Sequence, residues 1–314
     1  MRLTVGSIQK EIFVPRPRLQ SKLPTRRRFA IGLVLAAMAP RLPGQQRPRR
    51  IVSTAPSITE ALFALGLGSQ VVGVSRFCDF PPEVQKLPKV GTYIKPDLEA
   101  IARLAPDLVI LQGNPTELTN RLNALHISFV EVPHGTLNDV FTGIEIIARA
   151  SGFPDRAAPL VDQIKSGLDA IRTKAKVQPS PRVIVIANRR QGMLADLVAI
   201  GPDNYVNQIL GIAGGINSLA KPGLPQYPHI SLETVLRENP DVIIDLSASQ
   251  ESEAARQAVR AATLSLWRQN GELTAVRNGH VYIGTSNALL VPGPRTVEAA
   301  QRLFDYIHGT GDQS

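Results

Sequence analysis

Three aromatic side chains stand in predicted loops where their flat faces could hold a planar ligand. Phe77 precedes a Cys-Asp-Phe-Pro-Pro stretch, Tyr93 lies six positions before Glu99, and Tyr227 lies six positions before Glu233. The order of strands and helices places these loops at the open edges of parallel sheets, where such sheets usually bind ligands. Three stacked rings would contribute on the order of 12 kcal/mol before ordering costs. Each ring alone could be an ordinary half-buried aromatic, but the parallel spacing of Tyr93 and Tyr227 favours a site.

Signatures of catalysis are absent from the sequence. It contains no G-x-S-x-G elbow, no H-E-x-x-H helix, no P-loop and no C-x-x-C pair, and its five histidines have no metal-ligand spacing. The single cysteine, Cys78, excludes an intrachain disulfide and is predicted to be a small packed apolar residue. We therefore predict no catalytic residue, no metal site and no resident cofactor.

The charge of the chain is concentrated at its beginning. The chain has 314 residues and a formal charge of +9, but residues 1–50 contain 12 of the 35 basic residues and one of the 26 acidic ones. The remaining 23 basic and 25 acidic residues nearly cancel. A nucleic-acid partner is therefore not expected, because the part that folds has no basic face with interleaved aromatics.

Residues 1–39 have the pattern of a twin-arginine export signal. Thr25-Arg26-Arg27-Arg28-Phe29 is followed by an 11-residue apolar run, which is too short to span a bilayer, and by an A-x-A site at Ala37-Met38-Ala39. The alternative is a short buried helix after a basic loop. Because no cysteine follows the run, we expect a periplasmic protein without a lipid anchor.

The rest of the sequence alternates short β-branched runs with helical stretches, which predicts α/β lobes with mostly parallel strands. A capping box, Ser57 with Glu60, is predicted to open the first helix. Within a linking segment at residues 151–179, apolar residues spaced by three or four predict one helix over 155–176, about 33 Å long. Such a helix could join two lobes or cross over within one domain.

An internal repeat favours two lobes. Residues 97–110 and 231–244 share six identities in fourteen positions at a constant offset of 134. Each copy predicts a helix with an acidic first turn, a Pro-Asp stop and a buried strand. We therefore predict an N-terminal α/β lobe at residues 50–150 and a C-terminal α/β lobe at residues 180–309.

Specific motifs then resemble the periplasmic binding proteins of ABC transporters that carry cobalamin, haem or ferric siderophores, and the cobalamin-binding ones most closely. The resemblance spans roughly residues 49–308 and rests on these segments: Arg50-Ile-Val-Ser-Thr-Ala-Pro-Ser-Ile-Thr-Glu60, Gly66-Leu-Gly68, Val71-Val-Gly-Val-Ser75, Asp79-Phe-Pro-Pro82, Leu87-Pro-Lys-Val-Gly91, Leu98-Glu99, Ala105-Pro-Asp-Leu-Val-Ile110 and Pro292-Gly-Pro-Arg295. The family implies two α/β lobes joined by one long helix, with the ligand between them.

The resemblance also implies roles for residues. In cobalamin-binding relatives, aromatic residues at positions matching Phe77, Tyr93 and Tyr227 contact the corrinoid, and a polar contact matches Asn287. Two further candidates are Asn114, in the loop after the third strand, and Arg295, which could face the cleft or pair with a surface carboxylate. Haem-binding relatives usually place a tyrosine directly after Val-Gly, and here Thr92 intervenes, so a corrinoid is preferred to haem or a siderophore.

Glu99 and Glu233 resemble the two carboxylates, one per lobe, with which these proteins engage arginines on a permease dimer. A glutamate in a first helical turn is also favoured by the helix dipole alone, but symmetric placement suits a two-subunit partner. The sequence thus predicts a monomeric, non-enzymatic solute-binding protein that delivers cobalamin or a related corrinoid to an ABC permease. The alternatives are a haem or ferric-siderophore carrier, a two-lobed periplasmic enzyme and a sensor partner.

Overall fold

The computed structural model describes residues 47–113, 116–250, 253–284 and 286–309. The predicted export signal and Asn114 lie outside these ranges, so both remain predictions. Within the described ranges, no helix combines the length and the apolar character that a membrane crossing requires.

An all-parallel, four-stranded sheet forms the centre of the N-terminal lobe, with strand order β2-β1-β3-β4. Its elements are β1 (Ile51–Ser53), α1 (Pro56–Ala64), β2 (Val71–Val74), α2 (Leu98–Arg103), β3 (Leu108–Gln112), α3 (Thr116–Ala124), β4 (Phe129–Val132) and α4 (Leu137–Ala150). Because all four strands are parallel, the loops that follow β2 and β3 leave the sheet at one edge.

The linking helix is α5, Ala157–Ala175, and its 19 residues extend about 29 Å. It is shorter than the predicted 155–176 because Pro154–Arg156 forms a 3₁₀ turn, in which the Arg156 N–H donates to the Phe153 carbonyl at 3.1 Å. Its buried positions, which include Ile164 and Leu168, follow the predicted apolar stripe.

The C-terminal lobe contains a six-stranded mixed sheet, with order β10-β9-β5-β6-β8 and β7 paired to β5. Its elements are β5 (Arg182–Asn188), β6 (Leu197–Ala199), α6 (Tyr205–Ile212), β7 (Ile216–Asn217), β8 (His229–Ile230), α7 (Leu232–Glu238), β9 (Val242–Asp245), α8 (Glu253–Arg268), α9 (Thr274–Arg277), β10 (Val281–Ile283) and α10 (Thr296–Ile307). Strand β6 runs antiparallel to β5 and β8. Parallel pairing therefore accounts for only part of this sheet.

The sequence repeat is also a structural repeat. The first copy forms α2 and β3, and the second forms α7 and β9. Ala105 and Asn239, at equivalent positions before the Pro-Asp pairs, both adopt the left-handed conformation with φ of 42° and 40°. Asp107 and Asp241 each accept a hydrogen bond from a backbone N–H at the start of the first strand of their lobe, at 3.0 and 2.8 Å. The Pro-Asp pair at the end of the helix thus produces the same connection from helix to strand in both copies of the repeat.

One cluster of buried apolar side chains continues through both lobes. It includes Ile58 of α1, Ile147 of α4, Leu168 of α5, Ile209 of α6 and Leu303 of α10. Separate clusters cover the outer sheet faces. A wide hinge motion would expose part of this shared core to water at about 25 cal/mol per Å², so the fold favours a fixed lobe orientation. The predicted fold class, two α/β lobes joined by a long helix, is confirmed.

Candidate functional site

A tight turn between β2 and α2 presents Tyr93 to solvent. Gly91 and Pro96 form an antiparallel bridge across this turn, and the Thr92 N–H donates to the Lys95 carbonyl at 3.1 Å. Gly91 has φ of +86°, and a Cβ there would lie 2.6 Å from the Lys95 carbonyl oxygen. Only glycine fits this corner, which leaves Tyr93 and Ile94 exposed at the tip.

Phe77 packs against Tyr93. The ring centroids are 5.8 Å apart, and the ring planes are inclined by 56°. The Arg76 N–H donates to the Gly91 carbonyl at 2.7 Å, which fixes the loop after β2 beside the turn. Phe77 remains 51% exposed and Tyr93 44%. Two rings half open to solvent at the edge of a parallel sheet form an aromatic surface that a flat ligand can cover.

Tyr227 occupies the position in the C-terminal lobe that corresponds to Tyr93, at the same offset of 134. The Gly201 N–H donates to the Gln226 carbonyl at 2.9 Å, and the Ala199 N–H donates to the Pro228 carbonyl at 2.9 Å. Pro228 is therefore bonded to β6 and Gln226 to the segment just after it, while the Tyr227 side chain is 50% exposed. Among the described residues no other ring packs against it.

Asn287 and Arg295 lie together, and both contact the N-terminal lobe. The Arg295 guanidinium donates to the Asn287 side-chain oxygen at 2.8 Å, and the Asn287 amide donates to the Asp79 carboxylate. The guanidinium also donates from Nε to Glu60 Oε2 at 3.0 Å and from Nη2 to Glu60 Oε1. Arg295 therefore pairs with a buried carboxylate of the other lobe. The sequence instead predicted that it would face the cleft or pair with a surface carboxylate.

The predicted capping box at Ser57 and Glu60 is wrong. Helix α1 begins at Pro56, two positions earlier than the box requires, with Ala55 as an N-cap that offers no side-chain acceptor. The proline suits this first turn because it has no N–H to satisfy. Glu60 consequently lies on the buried face of the helix, where its side chain is only 2% exposed and pairs with Arg295.

Sequence reasoning also missed Asp79 and Phe80. The Arg295 guanidinium carbon lies 4.2 Å from the centroid of the Phe80 ring, which is a cation–π contact. The segment from Phe77 to Phe80 therefore connects the aromatic surface to the contact between the lobes. Glu60 is the one charged residue in an otherwise uncharged helix, PSITEALFA, and that isolation is the signal that could have indicated a buried ion pair.

Cys78 points inward from the same segment. Its side chain is 3% exposed and lies 3.1 Å from the Thr59 hydroxyl, which confirms the packed role predicted for it. Burial raises the pKa of the Cys78 thiol to about 11, so the thiol is protonated at neutral pH. In the described part of the chain, no three His, Cys, Asp or Glu side chains are grouped so that they could hold a metal ion.

Glu99 and Glu233 are both exposed in the first turns of α2 and α7. Glu99 lies 3.8 Å from Arg103, one helical turn further on, and both side chains are largely solvated. The Ser231 hydroxyl and the backbone N–H of Glu233 lower the pKa of the Glu233 carboxyl. Both carboxylates are thus available at the surface, one on each lobe.

Comparison with known proteins gives consistent matches over most of the chain. A family model described as periplasmic binding protein matches residues 51–288. A vitamin B12-binding protein of Vibrio parahaemolyticus is 28% identical over 261 residues, which cover 82% of this chain and 89% of that protein.

Solved structures give similar matches. The periplasmic haem-binding protein RhuT of Roseiflexus sp. RS-1, in apo form, has a TM-score of 0.73 and 28% identity, covering 83% of this chain and 98% of that one. The periplasmic vitamin B12 binding protein BtuF of Vibrio cholerae has a TM-score of 0.69 and 28% identity, covering 83% and 97%.

Proposed function

The chain belongs to the periplasmic binding protein family, and we propose that it is the solute-binding component of an ABC importer that captures cobalamin or a related corrinoid between its lobes. One observation carries the proposal: the exposed Phe77–Tyr93 pair stands on one lobe, and Tyr227 stands at the equivalent repeat position on the other. The vitamin B12-binding proteins to which the chain is similar support the choice of ligand. Binding and release are the whole proposed chemistry.

Stacking is sufficient for such a ligand. Covering three half-exposed rings removes apolar surface from water at about 25 cal/mol per Å², and each ring adds contact with the delocalised faces of a macrocycle. Rigid aromatic side chains lose little conformational entropy on binding, because each has only two side-chain torsions. A large planar ligand can therefore be held without a bond from the protein to its metal.

Calorimetric titration of the protein without residues 1–39 with cyanocobalamin tests the proposal. Tyr93→Ala and Tyr227→Ala should each weaken binding by about 1–3 kcal/mol, as expected for a lost stacking contact. Leu125→Ala is the matched control, because Leu125 is as exposed as Tyr227, at 50%, but lies at the end of α3. Affinity unchanged in both tyrosine variants would refute the assigned site.

Haem is the second candidate, because the haem-binding protein RhuT is as similar in sequence as the vitamin B12-binding proteins and the exposed Tyr93 hydroxyl could bind iron. Absorption spectra of protein loaded with haem or with cyanocobalamin separate the two. A Soret band that shifts when Tyr93 is replaced by Phe would favour haem over a corrinoid.

Delivery to a permease dimer is the second half of the proposed function, with Glu99 and Glu233 as the docking carboxylates. Charge reversal at both (Glu99→Lys with Glu233→Lys) should preserve ligand affinity and reduce uptake. Glu117→Lys is the control, because Glu117 is an equally solvated glutamate that faces Arg121 one turn on, as Glu99 faces Arg103. Normal uptake by the double variant would refute the docking role.

Export through the twin-arginine pathway is proposed from the motif at residues 25–29. Replacing Arg26, Arg27 and Arg28 by Lys should retain the protein in the cytoplasm. Mass spectrometry of the exported form should give an N-terminus near Ala39 without a lipid. A lipid-modified N-terminus would refute the prediction that the protein has no lipid anchor.

A further inference from the structure

Glu60 depends on the opposite lobe for its hydrogen bonds. Its side chain is 2% exposed, and both carboxylate oxygens accept from the Arg295 guanidinium. Among the described residues no other donor reaches this carboxylate. Because a buried carboxylate without partners is costly, the folded protein favours the lobe arrangement in which Arg295 reaches Glu60.

The pair also holds the residues around it. Arg295 uses Nη2 for Glu60 and also for the Asn287 side-chain oxygen at 2.8 Å, and Asn287 in turn donates to Asp79. The Phe80 ring lies against the same guanidinium, at 4.2 Å. Glu60 therefore fixes Arg295, and Arg295 orients one side chain on each lobe.

The aromatic surface lies within one short segment of this cluster. Phe77, in contact with Tyr93, stands only two residues before Asp79 and three before Phe80. Side chains at both ends of this segment are therefore in contact with other elements, Phe77 with Tyr93 and Asp79 and Phe80 with Asn287 and Arg295. A displacement of Arg295 would therefore also displace Phe77, because residues 77–80 connect the two.

We propose that Glu60 is a positioning residue of the ligand site: through Arg295 it holds the two edges of the cleft at a fixed separation before the ligand arrives. The proposal rests on the proposed function for its ligand, and on the contacts between Glu60, Arg295, Asn287 and Asp79 for its geometry. Preorganisation of this kind improves affinity, because the ligand need not order the side chains and the lobes as it binds.

The test is Glu60→Gln, which keeps the shape and removes the charge. Spin labels at Arg103→Cys and Arg237→Cys, equivalent exposed positions of the repeat in α2 and α7, report the distance between the lobes by pulsed electron paramagnetic resonance. Cys78, the single native cysteine, is replaced by Ala in every labelled protein, so that the label reports only the two introduced positions. We expect a broader or shifted distance distribution, and about ten-fold weaker binding of cyanocobalamin.

Two controls separate positioning from a general loss of stability. Arg189→Met breaks a buried ion pair inside the C-terminal lobe, Arg189 with Asp245, and should leave the distance distribution unchanged. Glu117→Gln, at an exposed ion pair with Arg121, should change neither measurement.

If Glu60→Gln does not fold, Arg295→Lys tests the same contact, because lysine keeps the charge and loses the bidentate geometry of the guanidinium.

The outcomes are distinct. A distance distribution in Glu60→Gln like that of the parent protein overturns the proposal, and so does a changed distribution with unchanged affinity. If the parent protein binds neither cyanocobalamin nor haem, the proposed function fails instead, and the distance distribution alone then decides whether Glu60 positions the lobes.

Discussion

Two buried pairs of arginine and carboxylate differ in how they are supported. Arg189 pairs with Asp245 at 3.0 Å inside the C-terminal lobe, where the two side chains are 4% and 0% exposed. Arg295 pairs with Glu60 between the lobes, where they are 13% and 2% exposed. The two pairs have similar burial and the same chemistry, so their difference lies in the neighbours.

Asp245 has several donors in its own lobe. Trp267 Nε1 donates to it at 2.9 Å, and the Ser247 backbone N–H and hydroxyl donate at 3.0 and 2.6 Å, in addition to Arg189. Glu60 has Arg295 alone among the described residues. We therefore expect Asp245 to remain hydrogen-bonded when one donor is lost, whereas Glu60 would lose all its donors with Arg295.

The largest effect is expected from Arg295→Met, which leaves Glu60 buried without a donor. We expect the free energy of unfolding to fall by about 3–5 kcal/mol, the usual result of removing one partner of a buried pair. Urea unfolding followed by circular dichroism measures it. Adding Glu60→Gln should recover part of the loss, because a neutral amide is less costly to bury than an unpaired charge.

The same variant should show a characteristic pH dependence. Burial raises the pKa of the Glu60 carboxyl, against the opposing effect of Arg295, so removal of Arg295 raises the pKa further. A carboxyl with a raised native pKa contributes stability that is present below its unfolded pKa, about 4.3. That contribution is lost as the pH rises through the native pKa. The stability deficit relative to the parent should be smaller at pH 5 than at pH 8, and an equal deficit would contradict this account.

The labelling rate of the Cys78 thiol reports local opening of the contact between Arg295 and Glu60. Its thiol is buried beside Thr59 and next to Asp79, and burial raises its pKa to about 11. A thiol-specific reagent at pH 8 should therefore label the parent protein slowly. Arg295→Met should accelerate labelling while Arg189→Met does not, and equal rates in both variants would show that the opening is global.

A smaller effect is expected from Arg189→Met. Asp245 keeps three donors, from Trp267 and Ser247, so we expect a loss of about 1–3 kcal/mol. Trp267 is the only tryptophan of the chain, and its emission reports unfolding of this lobe directly. A loss larger than that of Arg295→Met would reverse the comparison between the two pairs.

Local patterns predicted the elements that position the site. The linking helix, predicted over 155–176, differs from its observed bounds, Ala157–Ala175, by only three residues in total, because its apolar residues form one stripe. The repeat predicted two equivalent helix-to-strand corners because each carries the same Pro-Asp stop. The two-residue strands β7 and β8 were not predicted, since so short a segment carries no periodicity.

These local patterns could not predict the contact between the two lobes. Glu60 and Arg295 are 235 residues apart, and a glutamate three residues after a serine fits a capping box locally. Only the tertiary structure shows that Pro56 moves the helix start and turns Glu60 inward. The exposure of Phe77, Tyr93 and Tyr227 agrees with the loop positions that the sequence predicts for them, and their role in ligand binding stays a prediction.

The smallest effect on the free energy of unfolding should come from Asn287→Ala, which removes the exposed hydrogen bond between Asn287 and Asp79. Its partner Asp79 is exposed, so water can replace the lost amide, and its other partner, Arg295, keeps both contacts to Glu60. We therefore expect a loss of less than about 1 kcal/mol. Asn278→Ala, at an exposed position of the same lobe, is the control. A double-mutant cycle with Asp79→Ala isolates the pair. If its coupling matched that of the buried pair, proximity to the lobe boundary rather than burial would determine the strength of these contacts.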